Sequence, residues 1–174
     1  MTAAGEGRPA WHLVFMGVSG SGKSTVARLA HERLDWAFAE GDDFHSEESI
    51  RKMSEGRPLT DGDRIPWLGR LAAWTRDQDD AGRSTIVSCS ALRRAYRDVL
   101  RTGGEHTYFV HLTGDKGMIL ERMAAREHFM PPEMLESQIA TLEHLEPDEQ
   151  GLTVDVDDPP EQVVDRVLAE LGFD

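Results

Sequence analysis

The stretch "HLVFMGVSGSGKST", residues 12–25, constrains the fold more than any other part of the chain. Its first seven residues form a short apolar run, which suits a strand buried on both faces of a parallel sheet. From Lys23 to Leu34 the apolar positions Val26, Leu29, Ala30 and Leu34 recur at helical spacing. Between strand and helix, Gly17 to Ser24 satisfies the pattern G-x-x-x-x-G-K-[ST] in full. Glycines let such a loop curl with its N–H groups inward, where they surround an anion at the start of the following helix. Gly17, Val18, Ser19, Gly20, Ser21, Gly22, Lys23, Ser24 and Thr25 are therefore expected to cradle the phosphates of a nucleoside triphosphate. Lys23 reaches toward the β- and γ-phosphates, and the Ser24 hydroxyl is the expected ligand of Mg²⁺.

Four more apolar runs follow, "WAFAE", "STIVSCS", "TYFVHL" and "GLTVDV", with stretches able to form helices between them. Strands alternating with helices predict an α/β fold in which a parallel sheet is covered on both faces. The final helix carries clear end signals: Asp158 as cap, Pro159 in the first turn, Glu161 completing a capping-box-like arrangement and Gly172 as the stop. Its apolar face is Val163, Val167, Leu168 and Leu171. No repeat or Pro/Ser-rich linker interrupts the 174 residues, so the expected organisation is a flexible segment over 1–10 and a single domain over 11–174.

A formal net charge of −13 excludes a general affinity for nucleic acid or an anionic membrane, which needs an excess of Lys and Arg. Cys89 is the only cysteine, which rules out an intrachain disulfide and a Cys-rich metal site and leaves a small buried side chain. The N-terminus lacks the apolar core of a signal peptide, and no segment has the length to cross a bilayer. The expected compartment is the cytoplasm.

The longest stretch without a strand signal runs from Gly41 to Gly82 and is dense with charge. So long a polar insertion in a small domain is helical, functional or both. It begins where the second strand runs into "GDDFH", and in open α/β sheets ligands sit at the carboxyl ends of the strands. A carboxylate there is placed to take the proton of an attacking hydroxyl or to hold a metal-bound water, with Asp42 the first candidate and Asp43 the second. The plainer reading of both is capping of the helix "SEESIRKM". The chain has no Asn-Lys-x-Asp motif for guanine, and "STIVSCS" does not end in the Asp that a motor ATPase uses with its metal. Those two absences favour a small phosphotransferase.

The combination of "MGVSGSGKST", "EGDDFH", "KMSEGRPLTDGDRIPWL", "SCSALRRAYRDVLR" and "HFMPPEMLESQIATLE" resembles the gluconokinases of the P-loop kinase type, from about His12 to the final helix. The phosphate loop is widespread, whereas "PLTDGDRIPWL" and "CSALRRAYRD" are specific to that family. The resemblance implies a P-loop kinase fold of three layers around a five-stranded parallel sheet, with a helical acceptor-binding insertion at about 42–82 and a short lid at about 122–133. It also implies ATP and Mg²⁺, gluconate as acceptor and 6-phosphogluconate as product, and leaves a homodimer open. Gluconate offers a carboxylate, a row of hydroxyls and a primary alcohol, so its pocket needs cations at one end and hydrogen-bond acceptors along the rest. Asp61, Asp63 and Arg64, with Arg93, Arg94 and Arg97 after the third strand, suit that division. Arg97 and Asp98 also read as a solvated helix face. His45 and Lys52 are further acceptor-facing candidates, and Trp67 is either a pocket wall or a core residue.

In "ERMAAREHFMPPEML", Arg122 and Arg126 stand four apart on one helix face, and Met130 to Pro132 breaks the chain before a helix that begins near Glu133. The kinase resemblance implies Arg122 near the adenine and phosphates and Arg126 on the transferred group, with local pairing to Glu121 and Glu127 as the plainer reading. The resemblance also implies His128 as an acceptor-binding residue, but only Glu127 separates Arg126 from His128, one residue fewer than the family pattern, which alters the register of His128 and Phe129. The loop "VDVDDPP" is expected beside the adenine. Other readings are a P-loop kinase for a different small hydroxylated acid, such as shikimate, or for a nucleoside, and an inactive nucleotide-binding regulator.

Overall fold

Residues 9–125 and 132–173 are described by the structure, a computed structural model. Five strands, β1 (His12–Met16), β2 (Ala37–Glu40), β3 (Thr85–Ser88), β4 (Thr107–Thr113) and β5 (Gly151–Asp155), pair in the order β2-β3-β1-β4-β5. Every pairing is parallel. The first strand of the chain is thus the central one, and all five of its residues are buried, which is why it reads as an unbroken apolar run.

Helices cover both faces. On one, α1 (Lys23–Leu34) and α7 (Pro160–Leu171) bring Val26, Ala27, Ala30, Val163, Val164 and Val167 against Leu13, Phe15, Val110 and Leu112. On the other, α3 (Asp61–Asp80) and α4 (Arg94–Arg101) bring Leu68, Leu71, Tyr96 and Leu100 against Val14, Met16, Val87 and Phe109. Each fully buried aliphatic or aromatic side chain contributes about 1.5–3 kcal/mol relative to exposure, so the two layers lock the sheet between them. A smaller cluster of Val18, Leu92, Ile119 and Leu135 fastens α5 (Lys116–Ala125) and α6 (Pro132–Thr141) beside the phosphate loop.

The charged stretch after β2 is helical. A 3₁₀ turn (Gly41–Phe44) leads to α2 (Glu47–Ser54) and then to α3. Ser46 caps α2 by accepting the Ser49 N–H at 3.1 Å. Thr60 and Asp63 form a reciprocal capping box at the start of α3.

One expectation is corrected. Asp158 does not cap α7: Pro159 holds the cap position without a side-chain hydrogen bond, Pro160 takes the first turn, and Asp158 pairs with Arg166. Of the segment expected to be flexible, only Pro9 and Ala10 are described, and Ala10 is buried.

Candidate active site

The carboxyl ends of β1, β2 and β3 share one rim of the sheet, and the glycine loop turns over it. Gly17 lies so close to β4 that a Cβ there would stand 2.7 Å from the Leu112 carbonyl oxygen. Gly22 occupies the cap position of α1 with φ 87°, a left-handed conformation that costs glycine nothing. It supplies no side-chain cap, and the first turn of α1 carries no acid. The N–H groups and positive dipole end of that helix are therefore left for an anion. At the base of the loop Ser24 Oγ is 3.1 Å from Ser88 Oγ, where β3 ends.

Two cavities open on different stretches of this loop. The larger, about 400 Å³, is lined by Ser21, Gly22, Thr25 and Arg122 on its polar side and by Val26, Val156, Pro160 and Val163 on its apolar side. Arg122 donates to the Val156 carbonyl at 2.8 Å, so it bridges toward the "VDVDDPP" loop. Apolar walls beside a phosphate cradle suit a flat heteroaromatic base. The smaller cavity, about 80 Å³, is lined by Ser19, Lys23, Asp42, His45, Arg64 and Trp67, with Ser90, Met134 and Gln138 among its remaining walls. The half-buried Lys23 forms no ion pair among the described residues.

Packing fixes the shape of the smaller cavity. Trp67 is 3% exposed, and its Nε1–H donates to the Gly41 carbonyl at 2.8 Å, tying α3 to the start of the 3₁₀ turn. Trp67 is thus both core and wall. His45 stacks on it with ring centroids 4.0 Å apart and planes 20° from parallel. The His45 Nε2 stands 3.7 Å from Asp42 Oδ1, and its Nδ1 is buried without a hydrogen-bond partner among the described residues. Burial lowers the His45 pKa from 6.5 against the opposing pull of Asp42, so the ring is neutral at neutral pH. The Asp42 side chain is 78% exposed. Since Ser46 caps α2, neither Asp42 nor Asp43 serves that purpose; Asp43 is exposed and away from the cavity lining.

Arg64 is held in place from behind. Its Nη1 donates to the Tyr96 hydroxyl at 2.9 Å, its guanidinium lies 5.5 Å from the Tyr96 ring centroid, and Tyr96 in turn donates to Asp61. Burial and the bond to Asp61 raise the Tyr96 pKa, which keeps that hydroxyl protonated as the link of the chain.

Several sequence candidates sit elsewhere. Lys52 Nζ donates to both Asp63 oxygens, at 3.1 and 3.0 Å. The Thr60 N–H, with Lys52, holds the Asp63 carboxyl down at about 2. Neither Lys52 nor Asp63 lines the cavity; together they build the start of α3. Asp61 is likewise behind Arg64 rather than in the cavity. Arg93 is exposed at the cap position of α4, next to the cavity-lining Leu92. Arg97 is corrected outright: it is fully buried, and its guanidinium pairs with Glu149 at 2.7 and 3.0 Å while donating to the carbonyls of Ala91, Glu143 and His144. All five N–H groups are used inside the protein, so neither the acceptor role nor the solvated face describes it. Arg94 pairs with Glu146 and Asp148, and Asp98 with Arg101, on the surface. Arg126, His128 and Phe129 lie outside the described residues. Sequence reasoning missed Ser88, Tyr96 and Gln138; the spacing of Met134, Ser137 and Gln138 on one face of α6 was the available signal for the last.

Comparison with known proteins places these features in context. The family model described as an AAA domain matches residues 13–145. The gluconokinase of Gluconobacter oxydans (strain 621H) is 45% identical over 157 residues, covering 90% of this chain and 88% of that one. A sugar kinase structure from Janibacter sp. HTCC2649 superposes with a TM-score of 0.91 at 53% identity, covering 95% of this chain and 96% of the other. A gluconokinase structure from Sinorhizobium meliloti 1021 superposes with a TM-score of 0.83 at 43% identity, covering 95% and 93%.

Proposed function

We infer that this chain, which belongs to the gluconokinase family, phosphorylates D-gluconate at its terminal hydroxyl with ATP, giving 6-phosphogluconate and ADP. The observation that carries the reading, beside the relatedness, is the pair of cavities meeting at one phosphate loop. ATP lies in the larger one with its base against Val156 and Val163 and its phosphates on the loop amides, near Arg122. Gluconate lies in the smaller one. Arg64 takes its carboxylate, a role supported by its being the only arginine among the described lining residues and by its fixed orientation on Tyr96. The terminal hydroxyl then faces the phosphoryl group in line across Lys23.

Asp42 accepts the proton of that hydroxyl as the new O–P bond forms and the bond to ADP breaks. His45, neutral and stacked on Trp67, supports the Asp42 side of the cavity. Phosphoryl transfer asks little covalent work of a protein, so Lys23 and, from outside the described residues, Arg126 supply the positive charge that matches the spreading charge of the transition state. Among the described residues no group of three or more His, Cys, Asp or Glu side chains is set to hold a metal. The Ser24 hydroxyl, beside Ser88, would hold a Mg²⁺ ion brought in with the nucleotide, and the ion would supply charge neutralisation there. No described helix is long and apolar enough to cross a membrane. The reading extends to a cytoplasmic enzyme and to a homodimer, which sedimentation of the purified chain tests.

An ADP-release assay with Mg-ATP and gluconate, shikimate, sugars or nucleosides tests the acceptor. Gluconate-dependent release is the expected result, and release driven only by another acceptor would refute the assignment.

A further inference from the structure

The main-chain N–H of Ser19 donates to the side-chain oxygen Oε1 of Gln138 at 2.6 Å. Ser19 belongs to the phosphate loop, but unlike Ser21 and Gly22 it lines the smaller cavity together with Lys23. Its amide is therefore on the side of the loop where the transferred phosphoryl meets the acceptor. Gln138 belongs to α6 and lines that same cavity with Met134 and Ser137. The helix itself is anchored: Leu135 is fully buried against Val18, Leu92 and Ile119, and the Glu143 N–H just beyond donates to the Leu92 carbonyl at 2.7 Å. The helix is thus fixed beside the loop, and its Gln138 faces the cavity.

We propose that Gln138 is an acceptor-binding residue of this kinase, kept on the Ser19 amide until the terminal phosphoryl of ATP claims that amide and turns the side chain onto the gluconate hydroxyls. An amide carries both a donor and an acceptor, which suits a row of hydroxyls. One N–H cannot serve two acceptors well, so the γ-phosphate and Gln138 compete for it. ADP, lacking that group, leaves the contact in place. Binding of ATP thus completes the acceptor site, a coupling that is reciprocal between the two ligands.

The proposal rests on the gluconokinase reading, and the test separates the two. Calorimetry on the wild type, Gln138→Leu and Gln138→Glu would measure affinity for the β,γ-imido analogue of ATP, for ADP, and for gluconate in the presence of each. The hydrogen bond is worth roughly two- to tenfold in affinity. Gln138→Leu is expected to bind the analogue more tightly by that factor and ADP unchanged, while Gln138→Glu, a stronger competitor for the amide, binds the analogue more weakly. In the wild type the analogue tightens gluconate relative to ADP, and in Gln138→Leu that preference disappears. A purely structural role would weaken every ligand together. Weaker analogue binding by Gln138→Leu, or a gluconate preference that survives it, would overturn the proposal. If the wild type does not bind gluconate at all, the acceptor assignment fails, and the analogue-against-ADP comparison still judges the competition at Ser19.

Discussion

Replacing Arg97 with methionine separates a structural role from a substrate role. The methionine keeps much of the apolar stem but removes five donors, leaving Glu149, whose side chain is 0% exposed, without its main partner. Breaking a buried pair from one side costs about 3–5 kcal/mol, since the remaining charge stays desolvated. Arg101 also reaches Glu149 and is itself 25% exposed, so the lower end, about 3 kcal/mol, is the expected loss. For a chain of this size that is a fall in melting temperature of roughly 6–12 °C. Thermal denaturation followed by circular dichroism reads the loss, and gluconate KM measured well below the transition is expected to stay near the wild-type value. The pH dependence adds a second reading. Burial pushes the Glu149 carboxyl up, but hydrogen bonds from Arg97, the Glu146 turn and Arg101 outweigh it and hold it down at about 2, from 4.5. A depressed carboxylate stabilises the fold above its unfolded pKa and loses that contribution as pH falls toward the folded one. The gap between wild type and variant should therefore narrow between about pH 4.5 and about 2. An unshifted melting temperature together with a gluconate KM raised about tenfold would return Arg97 to the acceptor site and refute the argument.

Asp42→Asn should fold and bind the ATP analogue normally yet lose turnover by about 10²-fold or more, the usual worth of a positioned general base; near-normal steady-state turnover would move the base elsewhere. Cys89 is 2% exposed, and burial pushes its thiol up to about 12. Ellman's reagent should leave the native protein unlabelled and titrate one thiol per chain in guanidinium, whereas prompt labelling of the native form would show that β3 opens at its carboxyl end.

What the sequence disclosed follows from the range of the interactions involved. The strands and α1 were legible because their signals are local: β1 is buried along its whole length, and its run of five apolar-compatible residues reports that directly. The loop was legible because backbone geometry at Gly17 and Gly22 demands glycine. The fate of the arginines was not. Arg64 and Arg97 lie in equally charged stretches, and only the arrival of Glu149, fifty-two positions along the chain, takes Arg97 into the interior. Asp63 looked like a hydroxyl acceptor and instead closes a capping box, because Thr60 three residues earlier offers the nearer donor. Asp158 lost its capping role to the paired prolines that follow it. Helical spacing puts Gln138 on one face of α6 with Met134 and Ser137, but its partner Ser19, 119 positions away, is beyond the reach of such a local rule.

The residues around the larger hollow and those around the smaller one do not overlap; only the backbone of one short turn is common to both. On the proposed assignment, retargeting such an enzyme to a different alcohol would mean rewriting the walls of the smaller hollow that come from the 41–82 segment, from Ser90 and Leu92 and from one face of α6, while the walls of the larger hollow are left as they stand. A molecule built to span the two hollows would have to follow that turn.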